Sequence, residues 1–240
     1  PAPAGYWLTL GALQLELRQA KDAEASLQRY LQVAAAQPEQ AAAASDDDEE
    51  QDSFAEGGRT QAWLMLAQAA ELRGDGKAAA GWLDKIDDPQ RALEVQTRRA
   101  TLLAKQGKLK EARALVQQVP ERKPEDARAK LIAESQVLRE VKRWPDAHAV
   151  LVSANDRFPS DIDLLYEQAM MAEKISRMDE MERVLRRVIE LKPDHHHAYN
   201  ALGYSLAERN QRLPEARDLI AKAVELAPND PFIADSLGWV

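Results

Sequence analysis

Residues 198–207 read AYNALGYSLA, and residues 233–240 read IADSLGWV. Both contain Leu-Gly-aromatic: Leu202, Gly203 and Tyr204, then Leu237, Gly238 and Trp239. Recurrence at a fixed interval is the mark of a repeat architecture. The prolines confirm the interval. Pro124, Pro159, Pro193 and Pro228 are spaced 35, 34 and 35 residues apart. Before each lies an amphipathic segment: EARALVQQV, DAHAVLVSA, MERVLRRVI and EARDLIAKAV. Each of those is preceded by a second segment with small residues at its centre. Two helices per period, closed by a proline that cannot continue the second helix, make a helical hairpin repeat of about 34 residues.

Composition agrees. The 240 residues are 45% hydrophobic and 30% charged, which supplies a real core. Aromatics (5%) and glycines (10) are scarce, while the strong helix formers Ala, Leu, Glu, Gln and Arg abound. An all-α chain is expected. The net charge is −8, but residues 41–58 alone hold seven acids and no base, so the rest carries −1. A nearly neutral body argues against nucleic acid as a partner. The absence of cysteine excludes disulfides, thiolate metal sites and a thiol nucleophile. No stretch approaches the ~20 apolar residues of a membrane span, and no signal peptide is visible. The abrupt start at PAPAGYWL and end at LGWV suggest a piece of something longer.

The pattern resembles the tetratricopeptide repeat: Trp-x-x-Leu-Gly-x-x-Tyr, then Ala, an aromatic or Leu, Ala, and Pro. The hairpin 196–228 supplies Tyr199, Leu202, Gly203, Leu206, Ala216, Ala223 and Pro228, with one extra residue between Asn210 and Leu213. Hairpins at 162–193, 128–159, 93–124 and 60–89 follow the same scheme. A first hairpin occupies residues 1–40, where Gln14 stands in place of the usual Tyr. A seventh begins at Asp230-Pro231, a helix start in which Asp caps the free amides and Pro suits the first turn. Small residues such as Gly203 and Ala216 mark the close crossing within a hairpin, and Leu206 and Ile220 fill the space around it. The resemblance implies a right-handed superhelix (solenoid) of antiparallel hairpins. Residues 41–59 interrupt it as an acidic, flexible insertion, read either as a solvated segment or as a lure for a basic partner. The array then runs continuously from 60 to 240.

No catalytic set emerges. There is no Gly-rich phosphate loop: Gly57-Gly58 closes the acidic segment, and Gly74 and Gly76 sit in a hairpin turn. His195, His196 and His197 are consecutive, so they point around a helix rather than along one face. No Asp or Glu is evidently placed to complete a metal site with them, and an exposed helix start is expected instead. His148 falls on a second helix without a serine nucleophile in view. No metal, cofactor or enzymatic activity is expected.

In tetratricopeptide proteins the first helix of each pair lines a concave groove that holds extended partner segments. Carrying those places over nominates Arg98 and Thr101; Ile132, Gln136 and Arg139; Tyr166 and Met170; Asn200 and Tyr204; and Asp235 and Trp239. Aromatics with an amide and arginines nearby are the chemistry of interface hot spots. The competing reading is that Tyr166, Tyr204 and Trp239 pack inside the stack. The carboxylate clamp of some family members is discounted, since only Asn200 fits and its lysines are missing.

A narrower resemblance lies in DIDLLYEQAMMAEK (161–174) and in the wording from 199 to 240. It is similar to long proteobacterial tetratricopeptide proteins, often outer-membrane lipoproteins facing the periplasm. One type is an adaptor that binds a carboxyl-terminal processing protease and brings cell-wall hydrolases to it. The resemblance thus implies a non-catalytic adaptor at the periplasmic outer membrane. An assembly scaffold for envelope or secretion machinery is the alternative function, and the cytoplasm the alternative location. The incomplete hairpin from 231 adds an expectation of self-association through Phe232, Leu237 and Trp239.

Overall fold

The computed structural model describes residues 2–36 and 48–239. Among them are thirteen helices and no strand: α1 (Ala4–Glu16), α2 (Ala20–Ala36), α3 (Asp48–Leu72), α4 (Gly76–Leu83), α5 (Ala92–Lys105), α6 (Leu109–Gln117), α7 (Pro124–Glu140), α8 (Trp144–Arg157), α9 (Ile162–Lys174), α10 (Met178–Leu191), α11 (His196–Glu208), α12 (Leu213–Leu226) and α13 (Pro231–Trp239). They form two compact units, Pro1–Leu115 and Val116–Val240, with the boundary inside α6.

In the first unit α1 packs on α2, and both touch α3. Their core is Leu15, Ala23, Leu27, Leu66 and Ala69, with Trp63 and Trp82 partly buried around it. Gln14, which stands where the repeat has Tyr, accepts a hydrogen bond from Ser26 Oγ at 2.7 Å and so links α1 to α2. The acidic stretch is not one loop. Residues 37–47 lie outside the described residues, whereas 48–58 are already the start of α3. Gly58 belongs to that helix: a Cβ there would lie 2.1 Å from the Tyr30 hydroxyl of α2.

In the second unit α7 to α13 each pack on the next, and α13 also touches α11. The central core joins Leu165, Ala169 and Ala172 of α9, Met181, Val184, Leu185 and Val188 of α10, and Leu202 and Leu206 of α11. A Cβ on Gly203 would fall 2.7 Å from Ile220 Cγ1 and 2.8 Å from the Ala216 carbonyl oxygen. The α11–α12 crossing is therefore as close as the sequence implies, and Leu206 and Ile220 fill it fully buried.

The six turns inside hairpins share one backbone device. The second residue after the first helix is left-handed in every case: Arg18, Gly74, Gly107, Lys142, Ser176 and Asn210. The following amide then reaches back five residues, as from Gln19 to the Gln14 carbonyl and from Arg177 to the Ala172 carbonyl. This is the Schellman closure, which satisfies carbonyls that the helix end leaves free. The extra residue after Asn210 is taken up by Arg212, also left-handed at φ 45°. Pro159, Pro193 and Pro228 each lie two residues past α8, α10 and α12, where a terminator belongs. Pro124 departs from this scheme: it is the first residue of α7, where its missing N–H costs nothing.

Candidate partner-binding surface

In the second unit the first helices α7, α9 and α11 carry most of the nominated residues. A cleft of about 160 Å³ lies between α7 and α9. Ile132, Gln136 and Arg139 line it from α7, and Asp163, Leu164 and Glu167 from α9. Spacings of three and four residues put the α7 set on one face. Two arginines bridge the walls. Arg139 pairs with Glu167. Arg128 grips Asp161 with two nitrogens and reaches Asp163 at 2.8 Å. Asp161 is also the N-cap of α9, accepting from the Leu164 amide at 3.0 Å. The Arg128 guanidinium holds the Asp161 carboxyl below its ordinary value, and the amide bond adds to that.

Sequence reasoning named Ile132, Gln136 and Arg139 but missed Arg128, Asp163 and Glu167. Extending the α7 ladder back one turn from Ile132 finds Arg128. The two acids carry no such signal, because their role depends on α9 lying beside α7.

Behind the cleft is a buried polar network. His148 of α8, only 5% exposed, shares a 2.8 Å bond with Glu180 of α10. Gln168 of α9 donates to the same oxygen at 2.6 Å and accepts from Asn155 Nδ2 at 2.8 Å. Burial raises the Glu180 carboxyl, but the bonds from Gln168 and His148 together outweigh it and leave the group lowered. The network, with His148 in it, thus ties three helices together.

The remaining nominated residues divide. Tyr166 is half-buried, packed on the core, with its ring 5.1 Å from that of His195. Burial raises its hydroxyl pKa, and Glu167 and Glu173 add to the effect. The packing reading thus fits Tyr166, and Met170 packs on the same core. Tyr204 remains 38% exposed. Asn200, one turn before it, has a buried Oδ1 with no hydrogen-bond partner. Asp235 is exposed, and the Trp239 and Leu237 side chains lie outside the described residues. In the first unit, Arg98 lies 3.9 Å from Glu94, and Thr101 donates to the Thr97 carbonyl at 3.0 Å.

One expectation needs correction. His196 and His197 do have a carboxylate beside them, that of Asp230. It comes from the start of α13, one repeat later, which stacking brings next to the start of α11.

Two stretches, residues 162–195 and 181–231, match the tetratricopeptide repeat family. Residues 162–231 carry tetratricopeptide repeats. The chain is 35% identical over 175 residues to the TPR repeat-containing protein PA4667 of Pseudomonas aeruginosa, an overlap of 73% of this chain and 30% of that protein. The chain therefore spans about a third of the length of that relative. Among solved structures, MamA of Desulfovibrio magneticus RS-1 is 18% identical with a TM-score of 0.47, covering 72% of this chain and 97% of that one. YrrB, described as a TPR protein with an unusual peptide-binding site, is 16% identical with a TM-score of 0.47, covering 79% of this chain and 97% of its own. Among the described residues no helix is long and apolar enough to cross a membrane.

Proposed function

We propose that this chain is a non-catalytic adaptor whose repeats hold an extended segment of a partner protein along α7, α9 and α11. The repeats make it an interaction scaffold in the coarse sense, since stacked hairpins are built to present an extended face. The observation that carries the finer reading is the α7–α9 cleft, lined by Ile132, Gln136 and Arg139. Its apolar base accepts a side chain, and its amide and paired charges offer hydrogen bonds to backbone.

The place in the envelope is carried over from the resemblance of residues 161–240 to proteobacterial outer-membrane proteins; the likeness to a Pseudomonas protein bears on the bacterial group alone. In that setting the chain works on the periplasmic side, held at the outer membrane by another part of a longer protein. Its partner is a carboxyl-terminal processing protease, to which it brings cell-wall hydrolases. The second reading, an assembly scaffold that delivers nothing, rests on the same face, and Phe232, 82% exposed on α13, gives it an apolar point for self-association.

The test is capture from envelope extract on the immobilised chain, beside a Gln136→Ala/Asn200→Leu version. Loss of a protease or hydrolase with the double change supports the groove. Retention by both places binding elsewhere. If the captured hydrolase survives addition of the protease only when the chain is left out, delivery holds; survival in both cases leaves the assembly scaffold.

A further inference from the structure

The starts of α11 and α13 bring three metal-ligating side chains together. His196, His197 and Asp230 each offer one ligand atom, and these atoms all lie within 4.8 Å of one another. His197 is exposed, while His196 and Asp230 are half-buried. Two positions fix the geometry. His195 Nδ1 accepts from the Ala198 amide at 3.1 Å, which sets the first turn of α11 and points the next two imidazoles toward α13. Asp230 Oδ1 accepts from the Phe232 and Ile233 amides at 2.9 and 3.3 Å, which anchors the carboxylate and keeps its second oxygen out of that cap.

The two imidazole rings lie 4.2 Å apart between centroids. Two protonated rings at that distance repel, whereas two neutral rings on one cation do not. Tetrahedral zinc with arms of ~2.1 Å separates its ligand atoms by about 3.4 Å. His197 is exposed, so its side chain has room to rotate toward that spacing. Two imidazole nitrogens and one carboxylate oxygen form a donor set that suits zinc, and three protein ligands leave a fourth position for water.

We propose that His196, His197 and Asp230 bind one zinc ion, which ties the first turn of α11 to the first turn of α13. The two tied helices carry Asn200, Tyr204 and Asp235, so the ion sets the spacing of that end of the groove. The binding stands whether or not the adaptor reading holds, because it concerns the chain alone.

The experiment is calorimetric titration of the chain with zinc chloride, with cobalt(II) absorption as a second probe of tetrahedral geometry. One ion per chain is expected. His196→Ala and Asp230→Asn should each weaken it by about tenfold or more. Asn at 230 retains an oxygen to cap α13, so matching melting curves without metal show that the variant is folded. Hydrogen exchange should slow across 231–236 when zinc is added. No binding at millimolar zinc would overturn the assignment. So would an affinity that Asp230→Asn leaves intact, since the histidine run alone would then be the chelator.

Discussion

The α7–α9 cleft and the α11–α13 junction both set carboxylates beside nitrogen-bearing side chains, arginines in one and histidines in the other. In the cleft both arginines already have protein partners: Arg128 with Asp161 and Asp163, and the nominated Arg139 with Glu167. At the junction Asn200 Oδ1 is buried without a partner, and two imidazoles converge on a carboxylate. The cleft therefore contributes rigidity first, and a ligand there must insert between groups that satisfy one another. The junction holds bonding capacity that the fold itself does not consume.

The largest expected effect tests the frame that both regions share. Gly203→Ala forces a Cβ into the Ala216 carbonyl and Ile220, and backbone on one side cannot yield. It should destabilise the second unit by about 2–3 kcal/mol in urea melts. Gly57→Ala, with nothing within 4 Å of its Cβ, is the control and should cost nothing.

The cleft should come next. Asp161→Ala removes both an N-cap and the Arg128 pair, for about 1–2 kcal/mol. Arg139→Ala removes a pair whose side chains are 37% and 36% exposed, and should cost under about 1 kcal/mol. Equal costs would mean that the α9 cap at Asp161 adds nothing to its pair with Arg128.

Acid should weaken the cleft and the network behind it. Glu180 and Asp161 are held below their ordinary values of 4.5 and 3.8 in the folded chain. The unfolded chain therefore takes up their protons first as pH falls. Their stabilisation is full above about pH 4.5 and is lost as pH falls through the lowered folded values. Asp161→Asn should flatten part of that decline; an unchanged acid limb would remove Asp161 from it.

The smallest effect concerns the turns. Ser176 is left-handed at φ 61°. Relief of roughly 1–2 kcal/mol of side-chain strain, less the entropy cost of glycine, should make Ser176→Gly stabilising by about 0.5 kcal/mol. Thermal melts check the sign.

Much of this molecule is legible in its residues alone. The spacing of Pro159, Pro193 and Pro228, the small Gly203 opposite Ala216, and the Asp230-Pro231 start each report a local requirement of a helical hairpin. The extra residue after Asn210 is equally local, and the backbone absorbs it at Arg212. The helical start of α3 was not legible, because an acidic run reads as solvated chain until Tyr30 of α2 is seen against Gly58. The pairing of Arg139 with Glu167, the burial of Tyr166 against His195 and the arrival of Asp230 beside His196 were not legible either. Each joins residues of different repeats. Periodicity states that the repeats stack, so it determines the helices and their small-residue crossings. Which side chains meet across the stack depends on register between helices, and that is decided only when the hairpins pack.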